Sequence, residues 1–202
     1  EGTRVGLVDI DATGDFDFNG GSGIGAYVHL GHGGRRNNAI NGEGHSGNVE
    51  LTARSVDFFG GSGIESYGMM GHGGYQTTGN HFGDIALTTT GPADQNGRIR
   101  LRPDTAGADN ADRAFTQVGH GGYDADFDTS ADISSLTGGA NDINLLPYYG
   151  DNRASTLSGN ITVTSTENVV VVAVNTSNAQ EAYSQIGHGG FDTTGSFGTA
   201  GD

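Results

Sequence analysis

Apolar and polar residues alternate in short bursts along this chain. Asn48-Val49-Glu50-Leu51, Asp84-Ile85-Ala86-Leu87, Arg98-Ile99-Arg100-Leu101, Asp142-Ile143-Asn144-Leu145 and Asn160-Ile161-Thr162-Val163 each carry an apolar side chain at every second position. That period places the apolar set on one face of an extended strand, so each segment predicts a half-buried β-strand. Glycine or another turn-forming residue precedes each segment, and no stretch holds a sustained helical stripe. Almost no helix is expected.

A repeat runs through the same pattern. Gly-His-Gly-Gly occurs four times, at Gly31 to Gly34, Gly71 to Gly74, Gly119 to Gly122 and Gly187 to Gly190. An aromatic residue lies five positions before each His (Tyr27, Tyr67, Phe115, Tyr183), and an apolar residue two before it (Leu30, Met70, Val118, Ile186). Three copies add an aromatic three positions after the His, at Tyr75, Tyr123 and Phe191, where the first copy has Arg35. A bias toward glycine does not fix His and two apolar flanks at constant offsets. The spacings from His to His are 40, 48 and 68 residues. Blades and sandwiches need more uniform units, whereas a parallel β-solenoid lets loops of any length leave its corners. If the shortest spacing makes two laps, a lap is roughly 20 residues, and about ten laps stacked at about 4.8 Å give a rod of roughly 45 to 50 Å.

Composition agrees once that architecture is assumed. Leu, Ile, Val and Phe make up 40 of 202 residues, near the level at which a charged chain is suspected of disorder. A solenoid resolves the difficulty, because its core is thin and its corners use Gly, Asn and Asp. Glycine fills 38 positions. The formal charge of −15 argues against binding nucleic acid. No apolar run approaches a membrane span, so no membrane insertion is expected, and the absence of Cys removes disulfides and thiolate metal sites. Missing Cys and Lys suit an exported bacterial protein. The chain starts at Glu1 without a leader, and Phe191 to Asp202 resembles the stretch Tyr75 to Asp84 that leads into the next strand. We therefore expect one β-solenoid domain over 1–202, as a segment of something longer or as a polymerising unit.

The phrase Ala182-Tyr183-Ser184-Gln185-Ile186-Gly187-His188-Gly189-Gly190, with its following loop and with Gly-Asp-Ile or Gly-Asn-Ile at strand starts, resembles the repeats of filamentous-haemagglutinin-like giant bacterial exoproteins and adhesins. The resemblance runs from Phe16 to Asp202. It implies a right-handed parallel β-helix, secretion by a two-partner or related outer-membrane route, and an adhesive or structural role in an extracellular or cell-surface filament. Implied partners are copies of the chain or further repeats end to end, and a host-cell, neighbouring-cell or glycan surface.

Candidate chemistry is sparse. His32, His72, His120 and His188 invite a metal, but two laps of separation would set their rings about 9 to 10 Å apart, too far to share one ion. A structural role is expected instead, with each imidazole bonded to a neighbouring loop and the flanking Tyr27, Tyr67, Phe115 and Tyr183 stacked. His45 and His81 are expected at similar corners, and His29 on a strand. Asp124, Asp126 and Asp128 alternate and would share one strand face, which asks for a cation such as calcium or for Arg98, Arg100 and Arg102 opposite. Calcium is the one candidate cofactor. Val169, Val170, Val171, Val172 and Val174 form the most apolar run. One face of it needs a cover, supplied by the loop Asn141 to Gly159 or by a neighbouring protomer, which makes the run an assembly candidate. The Gly-x-Gly-x-x-Gly match at Gly42, Gly44 and Gly47 has no helix after it and is chance in a chain this rich in glycine. These readings favour a non-enzymatic secreted structural or adhesive module, with no catalytic residues. The alternatives are a calcium-stabilised binding module and a polysaccharide-active β-helix enzyme.

Overall fold

The computed structural model describes residues 4–36, 44–77, 79–92, 97–103, 112–123, 156–172, 181–191 and 196–197. Among them every regular element is a strand. The first lap consists of β1 (Arg4–Val5), β2 (Val8–Asp11), β3 (Phe16–Asn19), β4 (Tyr27–Leu30) and β5 (Gly33–Arg35). The second repeats it as β6 (His45–Ser46), β7 (Val49–Ala53), β8 (Val56–Phe59), β9 (Tyr67–Met70) and β10 (Gly73–Tyr75). The third comprises β11 (His81–Phe82), β12 (Ile85–Thr89), β13 (Ile99–Arg102), β14 (Phe115–Val118) and β15 (Gly121–Tyr123). The fourth holds β16 (Thr156–Ser158), β17 (Ile161–Thr164), β18 (Val169–Val171) and β19 (Tyr183–Ile186), and closes on a bridge from Gly189 to Gly121. Then β20 (Ser196–Phe197) stands over β16.

Equivalent strands of successive laps pair in parallel, in the orders β1-β6-β11-β16-β20, β2-β7-β12-β17, β3-β8-β13-β18, β4-β9-β14-β19 and β5-β10-β15. The protein is a parallel β-solenoid. Its lap differs from the expected one, because Tyr27 pairs with Tyr67, forty residues on. One motif therefore marks one lap, and the described residues form four laps and the start of a fifth rather than ten. At about 4.8 Å per lap the stack is roughly 20 Å tall. The unequal spacings fall between strands: β12 and β13 are farther apart in sequence than β7 and β8, and residues 124–155 separate β15 from β16.

Alternation builds the core. Val49, Leu51, Val56, Phe58, Ile85, Leu87, Ile99 and Leu101 are all fully buried, and like residues stack on like across laps. Burying a side chain of this size is worth about 1.5 to 3 kcal/mol. The strands β9 and β14 depart from alternation and are buried at every position. Met70 and Val118 join the main core, while Tyr67, Met69 and Phe115 enter a second cluster with Tyr75 and Tyr123. The motif's turn folds β10 and β15 back over this second face. That explains the two aromatic offsets, since the rings before and after each His share one compartment.

Candidate functional site

The four motifs meet at one corner of the stack, where glycine is a steric requirement. Gly71 and Gly73 have φ of 138° and 116°, and a Cβ on either would come within 2.0 Å of the carbonyl oxygen of Gly119 or Gly121 in the next lap. No side chain fits at that approach. Between these glycines the histidines form a column. The rings of His32 and His72, of His72 and His120, and of His120 and His188 stack with centroids 5.0, 4.9 and 4.9 Å apart and planes within 8°. Adjacent rings thus lie one lap apart, at about half the separation expected from twenty-residue laps.

Both ring nitrogens of His72, His120 and His188 are engaged, and Nε2 of His32 is. The backbone N–H of His32 donates to Nδ1 of His72 (2.9 Å), that of His72 to Nδ1 of His120 (3.0 Å), and that of His120 to Nδ1 of His188 (3.2 Å). With Nδ1 accepting, the ring proton sits on Nε2. Each Nε2 donates to a glycine carbonyl near the start of its own lap: Gly6 (3.1 Å), Gly47 (2.7 Å), Gly83 (2.7 Å) and Gly159 (2.9 Å). The histidine is therefore a clasp that closes its lap and a rung that joins it to the next. Burial pushes His72 down to about 4 and His120 down to about 3, against the favourable pull of their carbonyl partners. In His72 and His120, Nδ1 accepts from a backbone N–H and Nε2 donates to a carbonyl, so hydrogen bonds hold both ring nitrogens.

Two aromatic columns flank the clasp. Tyr27, Tyr67, Phe115 and Tyr183 stack at 4.9, 4.6 and 5.2 Å, and Tyr75, Tyr123 and Phe191 at 5.1 and 5.3 Å. Arg35, which breaks the second column in sequence, completes it in space: its guanidinium lies 5.3 Å from the Tyr75 centroid, within cation–π range. Gln117 Nε2 donates to the carbonyls of His120, Gly187 and Gly189, and Gln185 Nε2 to that of His188. His29 lies on β4, as expected, and its Nε2 donates to the Gly71 carbonyl at 2.7 Å, which is the same service by another residue type.

One column escaped the sequence reading. Gly25, Glu65, Arg113 and Glu181 occupy the same corner position in successive laps, with φ of 65°, 59°, 60° and 58°. Arg35 fills the space beside Gly25 and pairs with Glu65. Arg113 bonds Glu65 (3.5 Å) and Glu181 (3.2 Å), and Tyr123 donates its hydroxyl proton to Glu181. Charge alternates upward as Arg35, Glu65, Arg113, Glu181. The signal was a constant offset of two residues before the first aromatic column.

His45 and His81 are not at corners. They sit on β6 and β11, buried and stacked at 5.4 Å, and their ring nitrogens have no hydrogen-bond partner among the described residues. Arg98 and Arg100 pair with Asp57 at 3.6 and 2.6 Å, and Arg102 lies 4.0 Å over the Phe59 ring. Asp124, Asp126 and Asp128, the candidate calcium segment, lie outside the described residues, as do Val174 and most of the loop from Asn141. Val169 and Val171 stack on Ile99 and Leu101 at the open edge of β18, while Val170 and Val172 face outward. All four are about two-fifths exposed, between 38% and 46%. Among the described residues no group of three or more His, Asp or Glu is placed to hold a metal ion.

Compared with protein-family models, with curated proteins and with solved structures, the chain matches none of them.

Proposed function

We propose that this chain is a non-enzymatic structural and adhesive β-solenoid, secreted and working as a module of an extracellular or cell-surface filament. The carrying observation is the histidine clasp. The only strongly repeated chemistry in the sequence is used for closing laps and joining them, through both imidazole nitrogens and the glycine approaches around them. Chemistry repeated for that purpose serves stiffness, and a stiff stack presents its corner loops at fixed intervals. The resemblance to filamentous-haemagglutinin-like repeats supports the export and adhesion parts of the reading.

Limited proteolysis followed by mass measurement of the surviving fragments tests it. A resistant core spanning the second and third laps is the expected outcome, with cleavage confined to corner segments. Digestion throughout the chain contradicts a structural rod. Incubation with acidic and neutral polysaccharides adds a second reading: release of new reducing ends would overturn the non-enzymatic assignment, whereas retention without cleavage fits adhesion.

A further inference from the structure

The two end faces of the stack are complementary to one another, and we infer that a second copy of this chain docks head to tail, its first lap on the fourth lap of its neighbour. The inference rests on the structural reading above and adds the identity of the partner. It follows from the contacts between laps, which leave matching halves unpaired among the described residues of the first and fourth laps.

At the clasp, among the described residues, the backbone N–H of His188 has no acceptor and Nδ1 of His32 has no donor. Every other step of the column makes that bond. Tyr27, 48% exposed, ends the first aromatic column at one face, and Tyr183 ends it at the other. Among the described residues the strands β17, β18 and β19 have no partner on their outer edges, nor do β2, β3 and β4 at the opposite face, in the same lateral order. Val169 and Val171 continue the columns that start at Phe16 and Phe18, so docking covers them as Ile99 and Leu101 are covered within the chain.

Charge favours the same joint in spite of the net −15. The alternating column ends at Glu181 on one face and begins with Arg35 on the other. Docked, Arg35 stands between Glu181 of the neighbour and its own Glu65, and the alternation continues. Asp9, Asp11 and Asp17 of the first lap meet Thr162, Thr164 and Val170 rather than carboxylates, judged from the registers within the chain. One rung is contested. Above β16 the place is filled by β20, so β1 of the incoming copy, two exposed residues paired to β6, is displaced.

Docking along the stack axis joins two different faces of the molecule without turning the stack back on itself, so it generates an open-ended series. Sedimentation velocity of the full chain over a range of concentrations tests this with two variants, Val171→Glu at one face and Tyr27→Glu at the other. Both side chains are nearly half exposed in the free chain, so both variants are expected to fold, which circular dichroism of each alone checks. The expected result is a series that lengthens with concentration for the unsubstituted chain, monomers for each variant alone, and a dimer and nothing larger when the variants are mixed. A monomer at every concentration overturns the inference, as does a series indifferent to both substitutions or a dimer formed by either variant alone. A monomer that retains the protease-resistant core removes the docking and leaves the structural role standing, whereas loss of that core removes the role itself.

Discussion

At the residue scale the buried clasp histidines His72 and His120 are neutral rings with a fixed tautomer. Protonation at Nδ1 would break the rung to the preceding lap and place cations about 5 Å apart. Burial also holds His29 and His45 at about 4 and takes His81 well below its ordinary value. The sign follows from linkage. Above pH 6.5, the ordinary histidine value, these rings are neutral in the folded and unfolded chains alike, so they leave stability flat. Below it the unfolded chain takes up protons that the folded chain refuses, and stability falls until the pH passes the folded values, about 4 for His72 and about 3 for His120. Each unit of depression is worth about 1.4 kcal/mol per ring. Asp15, held at about 2 by hydrogen bonds from Arg54 and Ser55, adds a loss only below its ordinary 3.8. Thermal melting between neutral pH and pH 4 should therefore show a midpoint that falls steadily from about pH 6.5. His120→Ala should flatten that slope while lowering the midpoint at neutral pH, because it leaves the Gly83 carbonyl and the His72 N–H unpaired. A slope that begins only below pH 4 would assign acid lability to the carboxylates.

At the scale of the element, the turn between β9 and β10 has no room for a side chain. Gly73→Ala puts a methyl about where the Gly121 oxygen now lies, in a backbone region that alanine avoids. We expect a loss of about 4 kcal/mol or more, measured by denaturant unfolding, or failure to fold. Retention of stability within about 1 kcal/mol would mean that the laps can separate locally. The same element shows how far the sequence could be read. Strands such as β7 and β12 were legible because five residues of alternation leave a clear period. The strands β5, β6, β10, β11 and β15 have two or three residues, some of them glycine, and leave none. Two of the five strands of a lap thus leave no period, and that is why the forty-residue repeat suggests two turns instead of one. The clasp histidines were legible through their fixed offset. The column of Gly25, Glu65, Arg113 and Glu181 was not, because what its members share is a left-handed backbone, not a residue type. His45 and His81 were misplaced because glycine neighbours suggest a corner, and only the pairing of β6 with β11 puts them inside.

For the whole molecule, stability is a sum over neighbouring laps, and position in the stack sets it. The second and third laps have a neighbour on each side, whereas β1 and β20 are two-residue strands with one partner each. Amide hydrogen exchange should be slowest in β7, β9, β12 and β14 and fastest in β1 and β20. Uniform protection from end to end would require the laps to open as one cooperative unit.

The unequal spacing of the motifs has a consequence for what such a stack can carry. The third and fourth laps are separated by 68 residues where the first and second are separated by 40, yet their histidine rings approach to 4.9 Å against 5.0 Å. Lengthening a corner costs only about 0.6 kcal/mol for each doubling of its length, and no rung of the ladder is spent on it. The scaffold is indifferent to its cargo: foreign sequence grafted between β15 and β16 would ride at a fixed height on the stack, and a different passenger could occupy every lap.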